Sequence, residues 1–441
     1  MSPVTAGHSY AYMKNSMIVD DRIGLETSGG RTARGRAAHP HFFSGFLTTP
    51  RVAAAGLLAV ADVAAARYYQ PLLKASLDPV VTGNGDRLRF ESFSACGGVY
   101  ARLDVLEDGL DGGEPGQGTT NVDVNNPLRL ALSRITGADP MHLRVGPDEL
   151  AVTTLDSPLV EKKVALPDRW LRGFAETQLI ASGMDVRAEL PAAEATRLLR
   201  GRAPDGWLMP SGRALRPTGR PAPGAVFLGG PDRLAALARV MRHAAALRVY
   251  GPPVTAGCPP RSSAWEAVLP GMRLTLMLSP RAARGFSGEG AVLDDMGSAE
   301  DAELVSVLLA WEPRIDVADL ADRSGMPTDR VRAALTRLGT DGRVGYDAAE
   351  AAHFHRELPF RAGRAERHNP RLRDARTLVE AGAVTVDGDA ATVRSGDRVY
   401  LVSRSERSLG CTCTWWTEHR GGRGPCKHVL AVRMTTRGDD E

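Results

Sequence analysis

Lysine is nearly missing from this chain. Of 441 residues only Lys14, Lys74, Lys162, Lys163 and Lys427 are lysine, although lysine and arginine together number 55. A phosphate loop of the Gly-x4-Gly-Lys-Ser/Thr type needs a lysine behind spaced glycines, and none of the five stands in that setting. Cysteine is also scarce, with five residues in all. An odd number at that density excludes a disulfide framework for a chain of this length. Long apolar runs are missing too: Ala53 to Ala66 is short, holds Asp62 and ends at Arg67, which suits a core helix and not a membrane span. No basic stretch followed by an apolar core and a small-residue cleavage site opens the chain, so the expected location is the reducing cytoplasm. The formal net charge is only +3, so global charge gives no argument for a nucleic-acid partner. The excess of arginine over lysine, with abundant alanine and glycine, reads as the composition of a GC-rich genome.

What is present predicts an α+β multidomain protein. Residues 1–48, rich in Ser, Gly, His and Arg, read as a flexible arm. Residues 49–255 read as an α+β region. It opens with an alanine-rich helix from about Val52 to Tyr69, followed by strands around Arg87–Phe93 and Val99–Leu103. Strand candidates follow at His142–Val145, Leu150–Thr154 and Val160–Leu166, then a helix opened by Pro167. The spacing of Leu234, Leu237, Val240, Met241, Ala244 and Leu247 predicts one long helix over Pro231–Val249. Residues 256–298 read as a linker with a β-hairpin.

Residues 299–350 carry a winged helix–turn–helix-like pattern. Three helical segments lie at Ala302–Trp311, Val317–Arg323 and Thr328–Leu338, with Gly325-Met326-Pro327 as the tight turn and a strand after Asp341-Gly342. Helix three would turn Asp329, Arg330, Arg332, Thr336 and Arg337 outward, where arginines meet phosphates or guanine edges. Residues 351–384 read as a basic linker or helix. His353 and His355 there read as a surface pair.

The chemistry concentrates at the end of the chain. Cys411, Cys413, Cys426 and His428 place three thiols and an imidazole within residues 411–428. Four such ligands complete a closed tetrahedral zinc site. Spacing of two puts both thiols of the first pair on one side of an extended segment, and Cys426 falls at a helix start. His419 is an alternative fourth ligand; His428 is preferred for its short, fixed offset from Cys426. Arg420, Arg423 and Lys427, with Trp415 and Trp416, make a basic aromatic surround that suits nucleic acid. A zinc with four protein ligands has no open position for water, so the metal is structural. No nucleophile-and-base constellation appears elsewhere. Gly285–Glu289 lacks the final glycine of a nucleophile elbow, so no enzyme is expected.

Those four ligands, in the order CxC, gap, CxH, resemble the SWIM-type zinc finger, over about residues 385–436. The resemblance implies a ββα fold around Zn2+ and binding of DNA or proteins. The stretches Phe90–Ser94, Gly118–Asp123 and Trp170–Phe174 resemble a group of actinobacterial SWIM zinc finger proteins found beside MoxR-type AAA+ ATPase genes. That likeness implies a cytoplasmic assembly partner. The leading expectation is a non-enzymatic nucleic-acid-binding or regulatory protein using Arg330, Arg332, Arg337, Arg420, Arg423 and Lys427. The alternative is a protein adaptor working with such an ATPase.

Overall fold

The computed structural model describes residues 17–19, 22–25, 30–32, 35–37 and 43–438, the last span excepting 70–78, 114, 122–123, 125, 138, 146–149, 154–167, 202–204, 311, 359–368 and 406–407. Helix and sheet are mixed, and the chain is α+β. Its centre is a ten-stranded antiparallel sheet in the order Asp185–Pro191, Ala246–Gly251, Ser263–Leu269, Met272–Leu278, Val99–Val105, Leu88–Phe93, Val80–Asn84, Gln117–Asn121, Gly30–Thr32, Gly35–Ala37.

The two faces of this sheet differ in chemistry because side chains alternate along each strand. One face carries Leu88, Phe90, Val99, Ala101, Leu103 and Leu274, all fully buried. Helix α1 (Pro50–Ala65) lies on it, its small residues allowing a close approach. A Cβ at Gly56 would meet Leu103 at 2.8 Å. Helices α2 (Asn126–Arg134) and α4 (Ala192–Arg200) and two 3-10 segments, Pro231–Arg239 and Met241–His243, complete that layer.

The opposite face carries Arg89, Glu91, Arg102, Asp104, Arg273 and Thr275, and it is buried as well. What covers it is α3 (Asp168–Ser182) and a unit built from α6 (Ala299–Leu308), α7 (Val317–Ser324), α8 (Thr328–Thr340) and the hairpin Val344–Asp347/Ala352–His355; the one-turn α5 (Val292–Asp295) precedes it. Asp347, at the end of the first hairpin strand, sits among Arg273 at 2.8 Å, Arg102 at 2.9 Å, Arg89 at 3.1 Å and Arg87 at 3.7 Å. Asp104 holds Arg89 at 2.6 Å and Arg102 at 2.9 Å, and Arg356 pairs with Glu91 at 2.5 Å. Burial alone would raise the Asp347 carboxyl, but Arg102, Arg89 and Arg273 overcome it and hold the group far below the usual carboxylate range.

Several expectations are corrected. Residues 43–47 are not arm: Phe43–Leu47 is a strand with Phe43 and Leu47 buried, and segments before it pair into two sheets. The helix expected over Pro231–Val249 is two 3-10 segments, Pro231–Arg239 and Met241–His243, and the strand Ala246–Gly251. Leu234, Leu237 and Val240 are three apart, which is the 3-10 period as well as an α-helical one, while Leu247 and Val249 alternate into the sheet core. The hairpin Ser263–Leu269/Met272–Leu278 is an interior pair of the large sheet, not a linker element. His353 and His355 are buried because their strand closes the hairpin; Asn84 Nδ2 donates to the His355 carbonyl at 2.7 Å. Thr336, expected to face outward, is buried, and the end of α8 packs on α3. The strand expected at Val160–Leu166, Trp311, and Arg361, Arg364 and Arg367 lie outside the described residues.

Candidate metal centre

The last sheet, four antiparallel strands Val384–Asp387, Ala390–Ser395, Arg398–Ser405 and Ser408–Cys411, delivers the first ligand at its final residue. Cys413 caps α10, which here denotes Thr414–His419, and its Sγ accepts from the Trp416 N–H at 3.5 Å. Cys426 directly precedes α11, Lys427–Gly438, and its Sγ accepts from the Val429 N–H at 3.5 Å. His428 lies in the first turn of that helix, its ring stacked on Tyr400 with centroids 4.2 Å apart.

The four side chains converge. Cys411, Cys413, Cys426 and His428 are all buried, and one ligand atom from each lies within 4.8 Å of the others. Cys411 Sγ and His428 Nδ1 are 3.7 Å apart. Zinc bonds of about 2.3 Å to sulfur and about 2.0 Å to nitrogen, set tetrahedrally, imply roughly 3.5 Å for that pair. His419 is not in the group; its ring stands edge-on to Trp415. The donor set therefore fits a zinc ion held by Cys411, Cys413, Cys426 and His428.

Charge supports the same fit. The hydrogen bond with Cys411, helped by the contact with His428, pulls the Cys426 thiol down to about 4 against the opposing effect of burial. That same contact, then burial, pushes Cys411 up, and burial pushes Cys413 up. The side chains by themselves favour one thiolate and disfavour the next. A divalent cation removes the conflict, and its binding releases protons.

The centre is also tied to the body of the protein. Helix α9 (Pro370–Glu380) presents Arg371, whose Nη1 donates to the carbonyls of Arg423 at 2.7 Å and Pro425 at 3.1 Å, while Nη2 donates to the Glu289 carbonyl. Arg371 and Arg423 both lie over the Trp415 ring, at 4.5 and 5.1 Å from its centroid. Arg423 Nη2 donates to the Gly288 carbonyl at 2.6 Å. The fit at Gly424 leaves no room for a side chain: a Cβ there would meet Gly290 O at 1.9 Å. On the far side of α11, Leu430 and Ala431 pack with Ala175, Val292, Leu293, Leu372 and Ala375. No motif in the sequence marks Arg371 as a clamp on residues 289, 423 and 425. The paired glycine-rich stretches 285–290 and 421–424 were the available sign of two backbones in close approach.

The residues expected to grip nucleic acid are dispersed and largely engaged. Arg330 Nε bonds Asp301 at 3.0 Å, Arg332 pairs with Asp329 at 3.0 Å, and Arg337 Nη1 donates to the Gly297 carbonyl at 3.1 Å. Arg423 is turned inward, Lys427 is half-buried, and Arg420 is exposed at a left-handed backbone position. Among the described residues no helix is long and apolar enough to cross a membrane.

No family model matches this chain, and no curated protein matches it. Among solved structures it is similar to the proliferating cellular nuclear antigen of Entamoeba histolytica, at 8% identity, over 54% of this chain and 99% of that one, with a TM-score of 0.33. A likeness at that level carries no argument.

Proposed function

We propose that this protein is a non-enzymatic, zinc-stabilised scaffold whose C-terminal module is a SWIM-type finger and whose residues 299–355 are a winged-helix-like unit used for packing. The observation that carries this reading is the direction of the centre's surroundings. Four protein ligands would close the coordination sphere of a bound zinc and leave it no position for a reacting water. The side chains around them, Arg371, Arg423 and Trp415, bind other parts of the same chain. The metal would hold loop 413–426 in the shape that meets residues 284–290, so its contribution is architectural. The third helix of the central unit is likewise covered over its second half, which argues for packing against the body over groove reading. A cytoplasmic location and an AAA+ ATPase partner belong to this proposal through the resemblance stated above.

The test is metal content with partner capture. Anaerobically purified protein is expected to hold one zinc per chain, and Cys426→Ser to lose both the zinc and any co-purifying ATPase. Less than half an equivalent of any metal would overturn the reading.

A further inference from the structure

We propose that the helical layer on the apolar side of the large sheet is a nucleic-acid-binding face that engages the phosphodiester backbone without reading sequence. This goes beyond the scaffold reading and uses none of the residues around the metal.

The first observation is where the charge sits. Helices α1, α2 and α4 and the two 3-10 segments carry seven arginines outside the core, Arg233 being buried on the carbonyls of Gly98, Gly229 and Ser279, against three carboxylates, Asp62, Glu194 and Asp232. That is a formal +4 on a few short elements, while the entire chain carries +3. The surplus of the molecule is therefore gathered on one layer. The elements are neighbours: α1 packs on α2 and on the first 3-10 segment, and α4 packs on both 3-10 segments.

The second observation is how little of that charge is cancelled. Asp62 is shared by Arg129 of α2 and Arg239 of the 3-10 segment, one carboxylate between two guanidiniums. Glu194 holds Arg197 at 2.6 Å, yet that guanidinium side chain remains 72% exposed. Arg51, Arg200 and Arg242 are exposed, and among the described residues none of the three pairs with a carboxylate; Arg242 Nε donates to His243 Nε2 at 2.9 Å. The field is felt by His243, whose ring is pushed down first by burial and then by Arg242 and Arg51.

The third observation selects the partner. Protein partners are gripped by aromatic or aliphatic anchors in buried pockets, and lipid surfaces by an inserted apolar face. On this layer the only large apolar side chain exposed among the described residues is Leu130. A broad, arginine-rich surface without anchors suits a regular array of phosphates, each able to take a guanidinium in two-point contact. The arginines stand on rigid elements, so little side-chain-bearing backbone must be ordered on binding.

The test uses the full zinc-loaded chain and a labelled 30-base-pair duplex of random sequence, followed by fluorescence anisotropy. Contact with about four phosphates predicts a log–log salt slope near −4, hence a loss on the order of 200-fold between 50 and 200 mM salt. The triple variant Arg51→Glu, Arg200→Glu, Arg242→Glu is expected to weaken binding at least 30-fold at 50 mM salt, with zinc content and circular dichroism unchanged. The corresponding triple lysine variant should stay within about threefold of the parent. The proposal is overturned by an absence of duplex binding at 50 mM salt, by a reversal variant that binds as the parent does, or by tighter binding to phosphatidylserine vesicles or polyglutamate than to the duplex. Because these residues lie away from the metal, loss of zinc on Cys426→Ser with duplex binding retained would separate this face from the scaffold reading.

Discussion

Asp347→Asn tests the mechanism that holds the central unit against the sheet. The carboxylate is 1% exposed and meets four guanidiniums within 3.7 Å. Around it the formal account is balanced, with Arg87, Arg89, Arg102 and Arg273 facing Asp86, Asp104, Asp347 and Glu350. The amide keeps the shape and the Oδ1 acceptor for the Ala349 N–H, but it removes one of the two fully buried negative charges of the site, Asp104 and Asp347, Asp86 and Glu350 lying at its partly exposed edge. Breaking a buried pair by removing one partner costs about 3–5 kcal/mol, because the remaining charge is desolvated and unmatched. Replacing the whole group by apolar residues would cost far less, so the loss measures mismatch and not the net worth of the ion pairs. Denaturant unfolding followed by tryptophan fluorescence should show that decrease, and hydrogen exchange should show residues 344–355 losing protection first. The acid limb follows from the sign of the shift: with the folded pKa depressed, this stabilisation is complete above the unfolded value of about 4 and fades as pH falls below it. A variant within 1 kcal/mol of the parent, or an acid limb that is unchanged by the substitution, would refute the reasoning.

Other consequences concern the metal centre and its seam. Chelation, or acidification that protonates the cluster, should melt residues 384–436 selectively, since bound thiols must be deprotonated; exchange mass spectrometry would read it, and unchanged protection there would count against a metal-dependent fold. Arg371→Ala leaves the carbonyls of Glu289, Arg423 and Pro425 without their donor, at about 2–3 kcal/mol, and should alter Trp415 emission without lowering zinc content. Glu176, fully buried, is raised to about 8 by burial first and Glu289 second. Its folded pKa lies above the unfolded one, so the native state binds the extra proton, and stability should fall as pH rises from about 4.5 to 8. Glu176→Gln should flatten that fall, and a parent stable to the same degree at both ends would exclude it.

The cluster that fits a zinc ion was legible in the sequence because such a site is a statement about residue type and spacing, both of which survive in one dimension. Cys411, Cys413, Cys426 and His428 converge as that spacing required. The strand pair around Phe90 and Tyr100 was legible for the same kind of reason, since its side chains alternate. What period two cannot say is what covers the second face. Arg89, Glu91, Arg102 and Asp104 are polar residues of that alternation, and they are buried because a hairpin some 250 residues later brings Asp347 to them. Likewise the spacing around Arg423 and Trp415 does not show that Arg371 and residues 288–290 close over them. Ligand identity is local and so belongs to the sequence. The burial of a charge depends on which distant segment supplies its counter-charge, and that only the tertiary structure decided.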